Sequence, residues 1–324
     1  MYDLHEPAAR QLAAQMMRSV EAALTLYAEG ALGHNELLQY AIQSGHRTRP
    51  AGCLLACAAT GGEWQAALDG AVAVELIHKS SNIRDDVADG DRARSGHPAF
   101  HVAYGLEAAL GVSDVLWSSA LKIVQRLPEA VRDTCLAATT SMLSEMAAAQ
   151  LEDVCPSPQN GSVKDRLAVA EAKTGAISGL ACRLGAILGG GDKTVCDALD
   201  HYGRNLGTAF QLLNDDRNLR GEEKLRVAGS DLQKGRDTVL TAYARACGAI
   251  PDGEFPPQPP NDLTEEAASE LRALVLASGA PEAAKRMAAE LLTTARSHLT
   301  RLRPSLARNI LESLTRDALV VYAF

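Results

Sequence analysis

The stretch ELIHKSSNIRDDVADGDRARSGHP (75–98) decides how this chain is read. Val72, Val74, Leu76 and Ile77 make the turns leading into it apolar enough for a buried helix. Continued through 89, that helix carries Asp85 and Asp89 at i and i+4, about 40° apart around the axis, with Asp86 on the flank. A solvated acidic helix end is the ordinary fate of such a run. Three features oppose it here. Carboxylates at this spacing repel. They crowd a helix C-terminus, where the macrodipole disfavours negative charge. The apolar turns before them place the cluster at the mouth of a core. A hard divalent cation relieves all three penalties, since Mg²⁺ takes one or two carboxylates and completes its shell with water and phosphate oxygens.

Working outward, helix dominates. Ala and Leu abound, aromatic residues are 4%, and alternating β-branched runs are scarce. Apolar residues recur at helical spacing through Leu12, Met16, Val20 and Leu24, and again over 114–126, 129–154, 164–189, 195–219, 231–248, 263–275, 281–302 and 305–323. Gly61-Gly62, Ser95-Gly96-His97-Pro98, Pro156-Ser157-Pro158 and Gly189-Gly190-Gly191 punctuate them. No fixed-period repeat argues for a solenoid. The pattern predicts one all-α, single-domain helical bundle over 1–324, with the proline-rich 251–260 as a surface loop.

Composition narrows the function. Hydrophobic residues are 47% and charged residues 22%, and the net charge is −8. That balance disfavours a general nucleic-acid or membrane-surface binder. No apolar run reaches a transmembrane span, and Asp3, Glu6, Arg10, Arg18 and Glu21 break any secretory core. The seven cysteines are odd in number and lack paired zinc-like spacing, so buried thiols in a cytoplasmic protein are expected.

A second acidic segment, FQLLNDDRN (210–218), sets Asp215 and Asp216 between Asn214 and Asn218 on another helical pattern, followed by GSDLQKGRDT (229–238). Two acid-rich helices far apart in sequence suggest facing walls of one bundle cavity with metal ions between them. Arg47, Arg49, Arg94, Lys173, Arg226, Lys234 and Arg236 are the cations available to balance a polyphosphate. Spacing alone does not choose among them.

These segments resemble the trans-isoprenyl diphosphate synthase (polyprenyl synthetase) family over roughly residues 40–245. SGHRTRP (44–50), ELIHKSSNIRDDVAD (75–89), AQLED (149–153), AKTGAISGLACRLGAILGG (172–190), FQLLNDDRN and GSDLQKGRDT stand in family order. The resemblance implies a helical bundle around a deep central cavity, usually a homodimer. It implies that Asp85, Asp86 and Asp89, with Asn214, Asp215 and Asn218 opposite, hold up to three Mg²⁺ ions on an allylic diphosphate. By the same match Arg94, Lys173, Arg226 and Arg236 grip diphosphate, while Thr174, Phe210 and Gln211 line the allylic substrate. His46, Arg49, His78 and Ser95 fall at positions that bind isopentenyl diphosphate.

The departures cluster on the acceptor side. His46 and Ser95 stand where the family has a lysine and an arginine, so two charge-assisted contacts of about 1.5–3 kcal/mol each are missing; a protonated His46 would restore part of that. Arg84, at a common histidine position, either replaces the lost charge or pairs with Asp85 or Asp86. Asn214 and Asn218 replace aspartates, which weakens the third metal site, and Asp216 is a candidate to compensate. Ser80 and Ser81, small residues just before the first motif, imply a pocket for a geranylgeranyl-size or longer chain; the plainer reading is a close helix contact.

Four readings follow. A chain-elongating synthase leads. A prenyltransferase with another acceptor, such as an indole, comes second, because the lost acceptor-site cations are what it predicts. A terpene cyclase ranks lower, for want of aromatic residues. A non-catalytic subunit would have no reason to keep the acidic cluster. Gly189–Gly191 reads as a helix terminator, His97 and His101 as loop and helix-start residues, and 281–302 as a solvated amphipathic face.

Overall fold

The computed structural model describes residues 6–30, 35–155, 161–222, 228–251 and 263–321. Fifteen α-helices follow one another among the described residues: α1 (Pro7–Glu29), α2 (Asn35–Ile42), α3 (Thr48–Thr60), α4 (Leu68–Asp89), α5 (Phe100–Tyr104), α6 (Leu106–Gln125), α7 (Glu129–Val154), α8 (Val163–Ala170), α9 (Ala176–Leu188), α10 (Lys193–Arg220), α11 (Ser230–Gln233), α12 (Val239–Ala246), α13 (Glu265–Ala277), α14 (Ala280–His298) and α15 (Leu306–Val321). Among the described residues the only strands are β1 (Ala93–Arg94) and β2 (His97–Pro98), a two-rung antiparallel hairpin. The all-α expectation holds.

Burial follows the apolar spacing. Along α1, Met16, Val20, Leu24 and Ala28 recur every fourth residue and are fully inside. The helices α4, α9 and α10 form the centre, buried around most of their circumference. Their close approach depends on missing side chains. A Cβ at Gly185 of α9 would lie 2.0 Å from the Cys53 carbonyl oxygen of α3, and one at Gly203 of α10 only 2.3 Å from the Ser178 carbonyl oxygen of α9. A second, smaller core of Leu219, Leu232, Leu240, Ala244, Ile250, Val275, Ala280 and Ala284 joins α10 through α14. It supports the segment that follows the second acidic motif.

Two helical runs predicted as continuous are broken where the site lies. The 164–189 run is interrupted at Glu171–Gly175 by a wider π-helical turn, a local distortion that re-aims side chains. The 231–248 run splits into α11 and α12 around Lys234–Thr238. Residues 252–262, most of the predicted proline-rich loop, lie outside the described residues. Among those described, no helix is long and apolar enough to cross a membrane.

Gly185→Ala forces a methyl group into backbone. It is expected to cost about 1–3 kcal/mol, seen as a lower midpoint in chemical denaturation. An unchanged midpoint would mean that α3 and α9 do not approach this closely.

Candidate active site

Helix α4 ends at Gly90, whose left-handed φ of 64° lets its N–H and that of Asp91 turn back onto the last carbonyls. This sharp stop leaves Asp85 and Asp89 at the mouth of the bundle, each with about a fifth of its side chain exposed. Asp86 faces the other way and is 2% exposed. The hairpin turn after it uses Ser95 (φ 50°) and Gly96 (φ 84°) to reverse the chain. Arg94 thereby folds back onto Asp86, with Nε 2.7 and 2.8 Å from its two oxygens. Tyr40 pins the hairpin by donating to the Pro98 carbonyl at 2.8 Å.

The π turn sits between the two acidic helices. Lys173 Nζ lies 2.6 Å from Asp153 of α7 and 3.8 Å from Asp85; these carboxylates raise its pKa despite its burial. Thr174 donates to Gln211 Oε1 of α10 at 2.8 Å, and Gln211 Nε2 donates to Asp215 at 2.7 Å. Through these two neighbouring residues the π turn touches both acidic helices, α4 by the Lys173–Asp85 ion pair and α10 by the Thr174–Gln211–Asp215 hydrogen bonds. The loop after α11 closes a third side: Arg236 pairs with Asp89 and Lys234 with Asp91, while Arg236 Nη1 also donates to the Asp153 carbonyl at 3.1 Å. Asp237 anchors that loop from behind through two 2.8 Å bonds from Arg245.

Burial pushes the Asp85 carboxyl up to about 6, Lys173 opposes the shift, and Asp89 reinforces it. Burial pushes Asp215 up to about 8, with Asp231 and Asp153 adding like charge. Buried anionic charge left partly uncompensated is what a hard divalent cation would relieve, and the oxygen donors suit Mg²⁺. Among the described residues no three acidic, histidine or cysteine side chains form a ready-made cage.

A profile of the polyprenyl synthetase family matches residues 33–249. The chain belongs to that family. A geranylgeranyl diphosphate synthase of Methanosarcina mazei is 35% identical over 205 residues, covering 62% of this chain and 63% of that protein. The chain thus matches somewhat less than two thirds of that relative's length. A geranylgeranyl diphosphate synthase of Mycobacterium tuberculosis is 31% identical over 78% of this chain and 74% of its own. Among solved structures, a Caulobacter crescentus polyprenyl synthase complexed with calcium and isoprenyl diphosphate superposes with a TM-score of 0.85 at 26% identity, covering 96% of each chain.

Within this polyprenyl synthetase fold, the expected residues divide. Asp85, Asp89, Lys173, Thr174, Gln211, Asp215 and Arg236 share one connected site. Arg49 and His78 meet at 3.0 Å; burial and then the Arg49 charge hold His78 well below its usual pKa, so it is neutral and accepts from the guanidinium. Asn214 lies half-buried beside Asp215, and Phe210 packs against the main core. Asn218 is engaged by the following turn: Nδ2 donates to Ser230 Oγ at 2.8 Å, and Oδ1 faces the Asp231 N–H at 3.4 Å. His46 and Ser95 are exposed. Arg226 lies outside the described residues.

Other expectations are corrected. Asp216 does not compensate for Asn214 and Asn218, because it is tied to Arg220 at 2.8 Å and Lys285 at 3.4 Å. Lys285 is thus more than a solvated charge. Arg84 neither replaces an acceptor cation nor pairs with Asp85 or Asp86. It donates to Ser113 at 2.7 Å, pairs with Asp114, and stacks over Trp117 at 4.9 Å. Ser80 takes the plainer role, bonded to Ser113 Oγ at 2.7 Å across a tight α4–α6 contact. Arg47 is a buried strap, bonded to Glu21 and Glu75 at 2.7 Å and to the Ser44 and Ile42 carbonyls. Asp91, Asp153 and Asp231 were missed as contributors of charge. Their signal was position, each falling inside or beside a motif already singled out.

The raised Asp215 pKa fixes the sign of a stability test. A folded-state pKa above the unfolded value of 3.8 means that the group's contribution is fully favourable below that value and is lost as pH rises to about 8. Without divalent cation, Asp215→Asn is expected to melt several degrees higher than the unmodified protein at pH 9, with the gap closing toward pH 4. A gap independent of pH in differential scanning calorimetry would contradict this.

Proposed function

We propose that the protein is a Mg²⁺-dependent trans-prenyltransferase. It ionises an allylic prenyl diphosphate and couples it to isopentenyl diphosphate, making a geranylgeranyl-size or longer product. The observation that carries this reading is the charge-matched mouth of the bundle. Asp85, Asp89, Asp153 and Asp215 converge there with Lys173 and Arg236, beside the hydroxyl–amide pair of Thr174 and Gln211. Relatives named for geranylgeranyl, geranylfarnesyl and farnesyl diphosphates support the substrate class.

Bound Mg²⁺ would supply the positive charge that makes diphosphate a leaving group, held by Asp85, Asp89 and Asp215, with Asp86 remaining with Arg94 or turning to join them. Lys173, Arg94 and Arg236 hold phosphate oxygens and stabilise charge as it accumulates on them. Thr174 commits its hydroxyl proton to Gln211, so its oxygen lone pairs remain to face the allylic cation. Arg49 and neutral His78 orient the acceptor, whose π bond attacks the cation before a proton is lost.

The working unit is proposed to be a homodimer. Val102 and Tyr104 of α5 and Leu106, Leu110 and Val115 of α6 are 37–53% exposed, a set of large apolar side chains that a second copy would cover. The free thiols of all seven cysteines suit a reducing cytoplasm.

Purified protein with Mg²⁺ and geranyl, farnesyl or geranylgeranyl diphosphate is expected to form longer diphosphates only when isopentenyl diphosphate is added. Asp85→Asn should lower kcat on the order of 100-fold or more. Pyrophosphate release without elongation would overturn this reading in favour of another acceptor.

A further inference from the structure

Two bridges join the end of α7 to the loop at Lys234–Thr238. The front one lies in the site, where Arg236 Nη1 donates to the Asp153 carbonyl at 3.1 Å and the same guanidinium pairs with Asp89. The back one runs through Arg166 of α8. Its Nη2 donates to Glu152 Oε1 at 2.9 Å, and its Nε stands 3.9 Å from Asp237 Oδ2. Glu152 and Asp237 are the sequence neighbours of Asp153 and Arg236. The back bridge therefore spans the same two segments as the front one, one residue away on each.

Arg166 is 2% exposed, so it is closed off from anything bound at the mouth. A guanidinium carries five N–H donors, yet Nε and Nη1 of Arg166 have no hydrogen-bond partner among the described residues. Charge between the two acids is what holds the side chain. Arg245 reaches both oxygens of Asp237 at 2.8 Å, and Thr241 donates to it at 2.7 Å. Both of these belong to α12, which continues from the loop itself. They shape the loop, and Arg166 ties it to α7.

We propose that Arg166 is a positioning residue for prenyl transfer: anchored on Glu152 and acting through Asp237, it holds Arg236 where that side chain can take the substrate's diphosphate. The inference rests on the prenyl-transfer reading above. If Arg236 gives up Asp89 and the Asp153 carbonyl for phosphate oxygens, the front bridge opens. The back bridge then keeps the loop against α7. Two guanidiniums and two carboxylates balance one another behind the site, and removing one cation strands the acids it faced.

Calorimetric titration with inorganic pyrophosphate in the presence of Mg²⁺ reads the placement of Arg236 without requiring turnover. Arg166→Gln keeps a donor for Glu152 and removes the charge. It is expected to bind pyrophosphate about tenfold more weakly than the unmodified protein. In steady state, KM for the allylic diphosphate should rise in the same proportion while KM for isopentenyl diphosphate holds. Arg166→Lys, which keeps the charge but not the fork, should lose only about threefold, and it carries the same comparison if the Gln variant does not fold. The deciding protein is the double variant. If Arg166 works through Arg236, adding Arg166→Gln to Arg236→Gln weakens pyrophosphate binding by about twofold or less. The full loss repeated in that background, or a parallel rise of both KM values, would make Arg166 a structural ion pair and overturn the inference. Unchanged pyrophosphate affinity in Arg166→Gln would overturn it too, while leaving the prenyl-transfer reading intact. Failure of the unmodified protein to turn over any allylic diphosphate would instead remove that reading, and the inference with it.

Discussion

The structure depends on neutralising carboxylates that the fold forces together at the mouth of an apolar bundle. Asp85 and Asp153 share Lys173, Asp86 is held by Arg94, Asp89 by Arg236, and Asp91 by Lys234. Each base comes from a different element or turn than its acid, so the pairs fasten the π turn, the hairpin and the loop after α11 to the end of α4. Ion pairs that are half-buried are costly to break on one side only, since the remaining charge is stranded. The same fact makes the site exchangeable as a set. Under the proposed function, a divalent cation would take the acids while a diphosphate takes the bases, and neither partner alone would leave the site balanced.

On the proposed function, such an exchange would account for the local irregularities that gather here. The π turn at Glu171–Gly175, the left-handed Ser95 and Gly90, and the break between α11 and α12 all sit around the acidic residues. Elsewhere the helices run with few interruptions and pack through glycine contacts too tight for a methyl group. Rigid packing below and irregular backbone above is a division suited to holding charged side chains in position while they change partners.

The helical architecture was legible because one-sided burial on α1 imposes a fourfold spacing, and because aromatic residues and alternating β-branched runs are scarce throughout. Asp85, Asp89, Lys173 and Asp215 were legible from motif order. What could not be read was direction. Adjacent residues on a helix point about 100° apart, so Asp216 turns to Arg220 and Lys285 while Asp215 faces the site. Arg84 likewise turns to α6 while Asp85 faces Lys173. Arg47 looked like a ligand-binding base until its burial against Glu21 and Glu75 appeared.

The most direct test of charge exchange is the coupling between cation and diphosphate. An unreactive thiolodiphosphate analogue of an allylic substrate can be titrated calorimetrically into the protein with and without Mg²⁺. If the acids and bases release one another as a set, affinity for the analogue rises on the order of 100-fold with Mg²⁺, and Mg²⁺ affinity rises by the same factor with the analogue. Equal affinities in the two titrations would show that the paired residues are structural salt bridges and not the substrate's future partners.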